Sequence, residues 1–486
     1  MDNKVYAGLD IGTTGSKITV FEGKNILDNY YLSYPSNHQN SEHTINPELI
    51  LKTVKELIYK SVNAYPRLEA IGLTTFGETF VLLDKDDNIL CDSLLYTDVR
   101  GEKEARDIEN KVGRDRLGMI TGQIGRGMYS LPKILFLINE NENIKKNLDK
   151  IFLVEDFIVY KLTGNRYVDY SSASRTIAFD INNKIFSDEI LEKFSLSSKM
   201  FSTPLKIGSI AGVYQVNNKN INIIVISHDQ IANAVGAGII NEGDAVDGNG
   251  TCECVTVVYK NVKNESILYE KGFGKIPFVK DNYYASYALS NTCGSLLNWV
   301  IDTYFKEEKE KNNNIFEYLN NKVIDMKTDL LVLPYFAGSS TPYMDLNARG
   351  AIINLTLSSS KEEIYLAVLE SLCFEMLLSL KELEKAGILI NKIVATGGGS
   401  QNPLFLQMKA DIFNKPIYQL EIKDAGTIGS AIIVGTTLGV FESLEEGVKE
   451  MVSYKKLFIP NRDNYYKYLN KYEKYKKIYG SIKEIF

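Results

Sequence analysis

Short apolar runs alternate with longer amphipathic stretches along the chain, and the two patterns predict different elements. Apolar and β-branched runs at 5–9, 18–21 and 221–226 predict buried strands. Residues 360–363 have the spacing of a capping box, and apolar residues at helical intervals follow them as far as Gly387. Strands and helices that alternate in this way predict an α/β fold.

Two further segments of the chain are rich in polar or tyrosine residues. Residues 306–314 are charged and rich in asparagine, which predicts an exposed loop. Five of the six tyrosines in residues 465–479 lie three and four positions apart, which is the spacing of one helix face. We interpret this segment as a helix that lays tyrosines on a domain surface, in preference to a surface that stacks nucleic-acid bases.

A chain of 486 residues is too long for one hydrophobic core. The sequence Asn-Glu-Gly-Asp at 241–244 predicts a turn that closes the first half. The second half opens with a glycine-interrupted strand pair at 245–259, which repeats the pattern of the first strands but not their residues. We therefore predict two domains, 1–240 and 241–486.

Two turns rich in glycine lie far apart in the sequence. Residues 8–17 read Gly-Leu-Asp-Ile-Gly-Thr-Thr-Gly-Ser-Lys and join two predicted strands, whereas residues 395–402 read Ala-Thr-Gly-Gly-Gly-Ser-Gln-Asn and join a strand to a helix. Glycine lets backbone N–H groups approach a phosphate closely. The first turn has neither Walker A nor Rossmann spacing. The pair of turns predicts one nucleotide held by two similar domains.

Composition narrows the possible partners and location. The formal net charge of −6 argues against a nucleic-acid-binding surface. No apolar run reaches about 18 residues and the first residues do not resemble a signal peptide, so we expect a cytoplasmic protein with no membrane contact. A homodimer is the default expectation for the oligomeric state.

The cysteines do not predict a disulfide framework or a metal site. Their number is odd and they are scattered, which fits reduced thiols. Cys252 and Cys254 form a lone Cys-x-Cys motif. No second cysteine or histidine pair stands near it, so a tetrahedral metal site is not expected there.

Five further segments follow one another in a fixed order. They are Leu-Thr-Thr-Phe-Gly-Glu at 73–78, Tyr-Thr-Asp-Val-Arg-Gly at 96–101, Ser-His-Asp-Gln at 227–230, Asn-Gly-Thr-Cys at 249–252 and Asp-Ala-Gly-Thr-Ile-Gly-Ser-Ala at 424–431. With the two glycine turns, they make the chain resemble the FGGY family of carbohydrate kinases from residue 5 to about residue 454. The resemblance implies an α/β fold of two actin-like, ribonuclease H-like ATPase domains flanking a nucleotide- and sugar-binding cleft.

The resemblance also implies transfer of the γ-phosphate of ATP to a hydroxyl of a sugar or polyol. Such a reaction needs groups that hold the triphosphate, a metal ion, and a carboxylate that accepts the hydroxyl proton. Asp229 matches the family's general base, and we read His228 as its supporting neighbour. Asp10 matches the acidic residue that holds Mg²⁺; its alternative role is to cap the first turn.

The nucleotide-binding residues follow from the same resemblance. For ATP and its phosphates they are Gly12, Thr13, Thr14, Lys17, Gly250, Thr251, Gly294, Gly397, Gly398 and Asn402. Cys252 departs from the small residue that the family has after its second Gly-Thr. The small residues of 424–431 are expected to let a helix approach closely beside the adenine.

Acceptor-binding residues are expected in the first domain. They are Glu78, Gly77, Asp98, Arg100, Gln230 and Met128. Glu78 is expected at a turn between two strands. Asp98 and Arg100 either line the acceptor site or brace it, and the sequence leaves both roles open.

The identity of the acceptor is open between branches of the family. Glu78 and Gln230 resemble the glycerol-phosphorylating branch, but Gly77 stands where that branch has an arginine. Length and overall pattern are closer to the xylulose kinases, although their acceptor pair around these positions is missing too. We expect a ketopentose such as D-xylulose, with glycerol or another polyol or deoxy-sugar as the alternative. A non-catalytic sugar or nucleotide sensor and a filament-forming or chaperone-type actin-like ATPase are lesser alternatives.

Overall fold

The computed structural model describes residues 4–39, 42–422 and 424–486. Its strands in the first half are β1 Val5–Ile11, β2 Gly15–Glu22, β3 Asn25–Ser33, β4 Asn37–Gln39, β5 Glu42–Ile45, β6 Leu68–Thr75, β7 Phe80–Leu83, β8 Ser93–Leu94, β9 Lys150–Leu153, β10 Tyr167–Asp169, β11 Phe179–Asp180, β12 Ile185–Phe186, β13 Thr203–Leu205, β14 Ser209–Val216 and β15 Lys219–His228. Those in the second half are β16 Asp244–Asn249, β17 Glu253–Tyr259, β18 Ile276–Pro277, β19 Tyr284–Ser290, β20 Leu331–Leu333, β21 Ala351–Ile353, β22 Lys392–Thr396, β23 Ile417–Leu420 and β24 Tyr454–Phe458.

Helices alternate with these strands, as the apolar pattern predicts. In the first half they are α1 Pro47–Ala64, α2 Glu102–Val112, α3 Arg114–Thr121, α4 Ser130–Glu140, α5 Glu142–Asn147, α6 Val154–Thr163, α7 Tyr170–Ser174, α8 Asp188–Leu191 and α9 Asp229–Gly236. In the second half they are α10 Glu265–Lys271, α11 Gly294–Tyr304, α12 Lys306–Lys311, α13 Ile315–Val323, α14 Lys361–Lys385, α15 Pro403–Phe413, α16 Ala425–Leu438, α17 Leu444–Met451 and α18 Arg462–Ile482.

Contacts divide the chain into two compact units. Unit 1 comprises Met1–Ile240, Gly274–Ala285 and Asp424–Val452, and unit 2 comprises the remaining segments, Asn241–Phe273, Ser286–Lys423 and Ser453–Phe486. The domain boundary predicted from the sequence, between residues 240 and 241, coincides with one boundary between these units. Two later segments, Gly274–Ala285 and Asp424–Val452, were predicted to belong to the second domain but pack with unit 1.

Unit 1 is built on a six-stranded sheet with the order β14-β15-β6-β1-β2-β3. The central strands β15, β6 and β1 run parallel, and β1 and β2 form the antiparallel hairpin predicted around the first glycine turn. A core of buried aliphatic and aromatic side chains lies between the sheet and helices α1 and α6. A second core, formed by residues from α2 to α8 with β7 and β9, completes the unit.

Unit 2 repeats the strand order of unit 1. Its sheet contains the order β19-β17-β16-β22-β23-β24, in which β16 and β17 form an antiparallel hairpin while β16, β22 and β23 run parallel. β16 and β17 therefore take the places that β1 and β2 take in the first sheet. This correspondence confirms the repeated pattern that the sequence shows at 245–259.

The long helix α14 lies within unit 2 and begins at the predicted capping box. The Ser360 hydroxyl accepts a hydrogen bond from the Glu363 N–H, and the Glu363 carboxylate accepts one from the Ser360 N–H. The tyrosine-rich segment forms the predicted helix, α18. Its Tyr472 and Tyr475 pack against Phe374 of α14. The prediction of a loop at 306–314 is wrong for most of that segment, since α12 occupies Lys306–Lys311.

Helices α9 and α16 approach each other closely within unit 1. A Cβ atom added to Gly429 would lie 1.8 Å from the Ala232 carbonyl oxygen, and one added to Gly236 would lie 1.7 Å from that of Ala425. The close approach that the small residues of 424–431 predict is therefore present, but the partner of α16 is α9. Because α9 begins at Asp229, this contact fixes the position of that residue.

In the described part of the chain, we find no helix that combines the length and the apolar character needed to cross a membrane.

The close approach of α9 and α16 generates a stability prediction. Gly429→Ala places a methyl group on a backbone oxygen and should lower the thermal midpoint by several degrees, since overpacking costs about 1–3 kcal/mol. Gly426→Ala is the matched control, because its added Cβ would meet nothing closer than 3.9 Å. Calorimetry should find the control unchanged or slightly stabilised. Equal midpoints for the two variants would contradict the close packing.

Candidate functional site

Three neighbouring strands of the unit 1 sheet end at or near carboxylate residues. Asp10 is the penultimate residue of β1, Glu78 follows the end of β6, and Asp229 follows β15 directly. The strands lie in the order β15-β6-β1 and run parallel, so their ends meet at one edge of the sheet. The sheet thus brings together the residues predicted for metal binding, acceptor binding and proton transfer.

Asp229 is the first residue of α9 and has an unusual environment. Its side chain is 39% exposed, yet its Oδ1 atom is buried and has no hydrogen-bond partner among the described residues. Burial raises the pKa of Asp229 to about 7, and the negative charges of Asp10 and Glu78 contribute to the rise. A carboxyl group with such a pKa can accept and release a proton near neutral pH.

His228 lies beside Asp229 as a neutral side chain. Its Nε2 atom is 3.4 Å from Asp229 Oδ1, without the geometry of a hydrogen bond. Burial, with the positive charge of Arg175, holds the pKa of His228 well below its usual range. An added Cβ at Gly77 would lie 2.7 Å from His228 Cδ2, so a side chain at residue 77 would displace the imidazole.

Glu78 lies at the predicted turn between β6 and β7, with its carboxylate held by an arginine. The Nε atom of Arg175 donates to Glu78 Oε1 at 2.6 Å, and both side chains are buried. Glu78 adopts a φ of 63°, and its carbonyl oxygen accepts a hydrogen bond from Ser130 Oγ at 2.7 Å. A buried ion pair on such a constrained residue is typical of a functional position.

Arg175 was not among the residues that the sequence predicted for the site. It follows α7 directly, and the Ser171 hydroxyl of that helix accepts a hydrogen bond from the His228 N–H at 3.0 Å. Helix α7 therefore supports both Arg175 and the start of α9. No signal in the sequence pointed to Arg175, because an ion pair between residues 97 positions apart leaves no local pattern.

The other predicted acceptor residues have structural partners. Asp98 is buried and accepts hydrogen bonds from the His43 N–H at 2.8 Å and from Arg100 Nε at 2.9 Å. This geometry corresponds to bracing, which is one of the two roles that the sequence left open for Asp98 and Arg100. Met128 packs against the second core of unit 1, and Gln230 is a half-buried residue in the first turn of α9.

Asp10 and Lys17 lie opposite each other in the β1–β2 ladder. Burial raises the pKa of Asp10, and the charge of Lys17 opposes this rise. Burial likewise lowers the pKa of Lys17, with Asp10 opposing. Lys17 also forms an ion pair with Asp424, whose Oδ1 atom accepts a hydrogen bond from the Thr427 N–H at the start of α16. A cation is therefore held next to the first glycine turn.

Two hairpin loops that carry residues predicted to bind phosphate, 12–14 and 250–252, have similar construction; we call them the first and second phosphate turns. Each is a three-residue loop between antiparallel strands: 12–14 joins β1 to β2, and 250–252 joins β16 to β17. The Gly12 N–H donates to the Gly15 carbonyl at 2.9 Å, and the Gly250 N–H donates to the Cys252 carbonyl at 3.0 Å. Thr13 is half-buried, whereas Thr14 and Thr251 are exposed at the loop tips.

Unit 2 contains a cavity of about 840 Å³, a volume suited to a small-molecule ligand. Five residues predicted for nucleotide binding line it, namely Gly250, Thr251, Gly294, Gly398 and Asn402. Gly397 is not a lining residue. It has a φ of 78°, and an added Cβ would lie 2.6 Å from the Asn249 carbonyl oxygen, so it permits close backbone packing.

Helix α13 provides one wall of this cavity, which the sequence did not predict. Phe316, Glu317, Asn320 and Asn321 line it. Asn320 Nδ2 donates to Asn402 Oδ1 at 2.9 Å, which links this wall to the N-cap of α15. Only folding brings these residues to the glycine turn, and their own sequence carries no motif.

The cysteines remain separate thiols in the structure. Cys252 is exposed in the second phosphate turn and donates to the Asn291 carbonyl at 3.2 Å, while Cys254 is half-buried. Across the residues described, no group of three or more histidine, cysteine, aspartate and glutamate side chains is arranged to hold a metal ion.

Comparisons with known proteins identify the family and the fold. The family model for the FGGY family of carbohydrate kinases, N-terminal domain, matches residues 5–236, and that for the C-terminal domain matches 249–438. Xylulose kinase of Lactococcus lactis is 28% identical over 98% of this chain and 97% of that protein. Glycerol kinase of Thermococcus gammatolerans is 26% identical over 98% of this chain and 96% of that protein.

A solved structure of xylulose kinase from Lactobacillus acidophilus has the same fold. It superposes with a TM-score of 0.90 at 21% identity and covers 98% of both chains. The predicted fold class, α/β with two actin-like ATPase domains, is confirmed. The protein is a phosphotransferase with an alcohol group as acceptor, and the chain belongs to the FGGY family of carbohydrate kinases.

Proposed function

We propose that this kinase transfers the γ-phosphate of ATP to a hydroxyl of a ketopentose, with D-xylulose as the first candidate, in a reaction that requires Mg²⁺. The observation that carries the mechanism is the environment of Asp229 at the start of α9. Burial raises the pKa of this carboxyl group to about 7. Full-length similarity to proteins named xylulose kinase supports the choice of acceptor.

Asp229 acts as the general base in this proposal. Phosphoryl transfer to an alcohol requires the hydroxyl to lose its proton as it meets the phosphorus atom in line. The unpartnered Oδ1 atom of Asp229 has no competing donor among the described side chains, and its raised pKa favours proton acceptance near neutral pH. His228 remains neutral and therefore does not stabilise Asp229 in its charged form.

The phosphate groups are assigned to the glycine turns and to Lys17. In unit 1, Thr13 and Thr14 offer backbone N–H and hydroxyl groups and Lys17 offers a positive charge, while Gly12, whose N–H donates to the Gly15 carbonyl, shapes the loop. In unit 2 the corresponding contacts are assigned to the cavity-lining residues Gly250, Thr251, Gly294, Gly398 and Asn402, and Gly397 supports them by packing closely against Asn249. Donors fixed before the reaction stabilise transferring phosphate without reorganisation.

Asp10 fits the role of the residue that holds Mg²⁺. Magnesium retains most of its water and needs only one or two protein carboxylates, which a single aspartate can supply. Burial disfavours the negative charge of Asp10, and a divalent cation would compensate for that. When bound, the ion would neutralise charge that develops on the phosphate oxygens.

The acceptor is assigned to the surroundings of Glu78. Because Arg175 fixes one carboxylate oxygen of Glu78, the carboxylate is oriented and can accept a hydrogen bond from a sugar hydroxyl. Gln230, one residue after the base, provides an amide for a second hydroxyl. Gly77 allows His228 and Arg175 to approach, while Asp98, Arg100 and Met128 support the surrounding structure.

Glycerol is the second candidate acceptor, on one specific observation. The glycerol-phosphorylating branch has an arginine directly before the glutamate, and this chain has Gly77 there. Arg175 nevertheless pairs with Glu78 and would contact a side chain at residue 77, since its Cγ lies 3.3 Å from the Cβ position. An arginine–glutamate pair is thus formed from a different element, which keeps glycerol and other polyols as alternatives.

A panel assay tests the proposed acceptor. ADP release from ATP and Mg²⁺ is measured with ketoses, aldoses, polyols and glycerol, and without any acceptor. We expect a ketopentose to stimulate release by at least about tenfold, or ~1.4 kcal/mol of differential stabilisation. Stimulation by glycerol alone would favour the second candidate. Release that is the same with and without every acceptor would contradict the proposal.

Asp229→Asn tests the general base. The substitution keeps the size of the side chain and removes the proton acceptor, so kcat should fall by about 10²-fold to 10⁴-fold while the Kd for ATP is retained. Asp188→Asn is the control, because Asp188 is also the first residue of a unit 1 helix but is exposed. A folded Asp229→Asn enzyme with the kcat of the control would exclude the assigned role.

Glu78→Gln tests the acceptor site. Loss of the charge weakens both the pair with Arg175 and the hydrogen bond to the acceptor, so the KM for the acceptor should rise by about tenfold or more while the KM for ATP changes little. Glu370→Gln is the control, since Glu370 is a buried carboxylate paired with Lys471 in unit 2. If Glu78→Gln left the acceptor KM at the control value, Glu78 would have no part in acceptor binding.

A further inference from the structure

A fully buried lysine lies behind the second phosphate turn. The side chain of Lys409 has no exposed surface, and neither do those of its ion-pair partners Asp247 and Glu253. Lys409 Nζ donates to Asp247 Oδ2 at 2.5 Å, to Asn249 Oδ1 at 2.5 Å and to Glu253 Oε1 at 2.7 Å. One ammonium group therefore holds three side chains together.

The three partners of Lys409 belong to the two strands that carry the turn. Asn249 is the last residue of β16 and Glu253 the first of β17, and the two are opposite each other in the ladder. Asp247 lies two residues before Asn249, on the same face of the strand. Lys409 thus clamps both strands at the base of the loop 250–252.

Lys409 also connects the loop to the helix that follows the glycine turn. It lies on α15, and three residues at the start of that helix, Pro403, Leu404 and Phe405, line the unit 2 cavity. Asn249 lines the same cavity. Positions of Lys409 and of the cavity wall are therefore coupled through one rigid helix.

Asn249 is itself a contact for the glycine turn at 397–399. An added Cβ at Gly397 would lie 2.6 Å from the Asn249 carbonyl oxygen, and one at Gly399 would lie 2.7 Å from Asn249 Cβ. A displacement of Asn249 would consequently move both of the unit 2 turns. Lys409 Nζ is the donor that fixes the Asn249 side chain from behind.

The charge balance explains why the lysine is held so firmly. Burial disfavours the ammonium, but the charges of Asp247 and Glu253 outweigh this effect and raise the pKa of Lys409, so the lysine stays charged. Asp247 Oδ1 and Glu253 Oε2 have no hydrogen-bond partner among the described residues. Replacement of a buried ion cluster by well-packed apolar side chains is often neutral for stability, so the cluster is weak evidence of a stabilising role.

We propose that Lys409 is a positioning residue for the nucleotide, because it holds Asn249 and Glu253 so that the loop 250–252 and the glycine turn at 397–399 keep the geometry that binds phosphate. This inference rests on the proposed binding of ATP by unit 2. Lys409 itself lies below the loop and acts through Asn249 and Glu253.

Lys409→Met tests this role with a side chain of similar length and no charge. The Kd for ATP, measured by calorimetry, and the KM for ATP should both increase by at least about tenfold, while the KM for the acceptor stays within about twofold. Lys415→Met is the matched control, since Lys415 pairs with Glu384 elsewhere in unit 2. The control should keep both KM values. A purely structural role would reduce the yield of folded enzyme without separating the two KM values.

A second variant covers the case in which Lys409→Met does not fold because two carboxylates lose their counterion. The neutral triple variant Asp247→Asn, Glu253→Gln and Lys409→Met removes all three charges, and the same loss of ATP affinity is expected in it. A folded variant with the wild-type Kd for ATP would overturn the inference. Failure of the wild-type protein to bind ATP would instead overturn the proposed function, so the two failures are distinguishable.

Discussion

The gathering of three carboxylates at one partly buried sheet edge is the constraint on which the unit 1 site depends. The parallel order β15-β6-β1 places Asp229, Glu78 and Asp10 at the ends of neighbouring strands. Burial raises the pKa of Asp229 to about 7, and the negative charges of Asp10 and Glu78 add to this rise. The same fold feature that gathers these residues therefore raises the pKa of the residue that we propose as the base.

Two cations and a helix contact maintain this arrangement. Arg175 pairs with Glu78, and Lys17 lies opposite Asp10, so two of the three carboxylates have a neighbouring positive charge. The contact of α9 with α16 through Gly236 and Gly429 fixes the helix that begins with the third. Asp229 is thus held in position by backbone packing, which leaves its carboxylate free of a strong counterion.

In unit 2, the hairpin that corresponds to β1 and β2 lies against carboxylates that are paired with a lysine. The unit 2 sheet repeats the strand order of unit 1, but the hairpin of β16 and β17 is held from below by a buried ammonium and two carboxylates. A cluster that is already paired does not exchange protons with a substrate and is suited to holding a backbone in place. In the proposed mechanism, the repeated fold therefore serves proton transfer in unit 1 and rigid ligand binding in unit 2.

Local signals in the sequence predicted much of this structure. The glycine turn at 8–17 predicted the first hairpin, and the glycine-interrupted strand pair at 245–259 predicted the second. The apolar run at 221–226 predicted the strand that ends just before Asp229. The missed residues, Arg175, Asn320 and Lys409, act through partners 97, 82 and up to 162 positions away, and such distances leave no local pattern. The error at Lys306–Lys311 arose because a charged run forms a helix as readily as a loop when its neighbours are helical.

The most direct test of this account is the titration of Asp229 itself. Aspartate labelled with ¹³C at the side-chain carboxyl gives one resonance that is lost in Asp229→Asn, and its chemical shift can be followed with pH by NMR. We expect a midpoint near pH 7, because burial and the neighbouring carboxylates raise the pKa of Asp229 to about 7. A midpoint at the ordinary aspartate value of 3.8 would show that the three carboxylates do not form the environment described here.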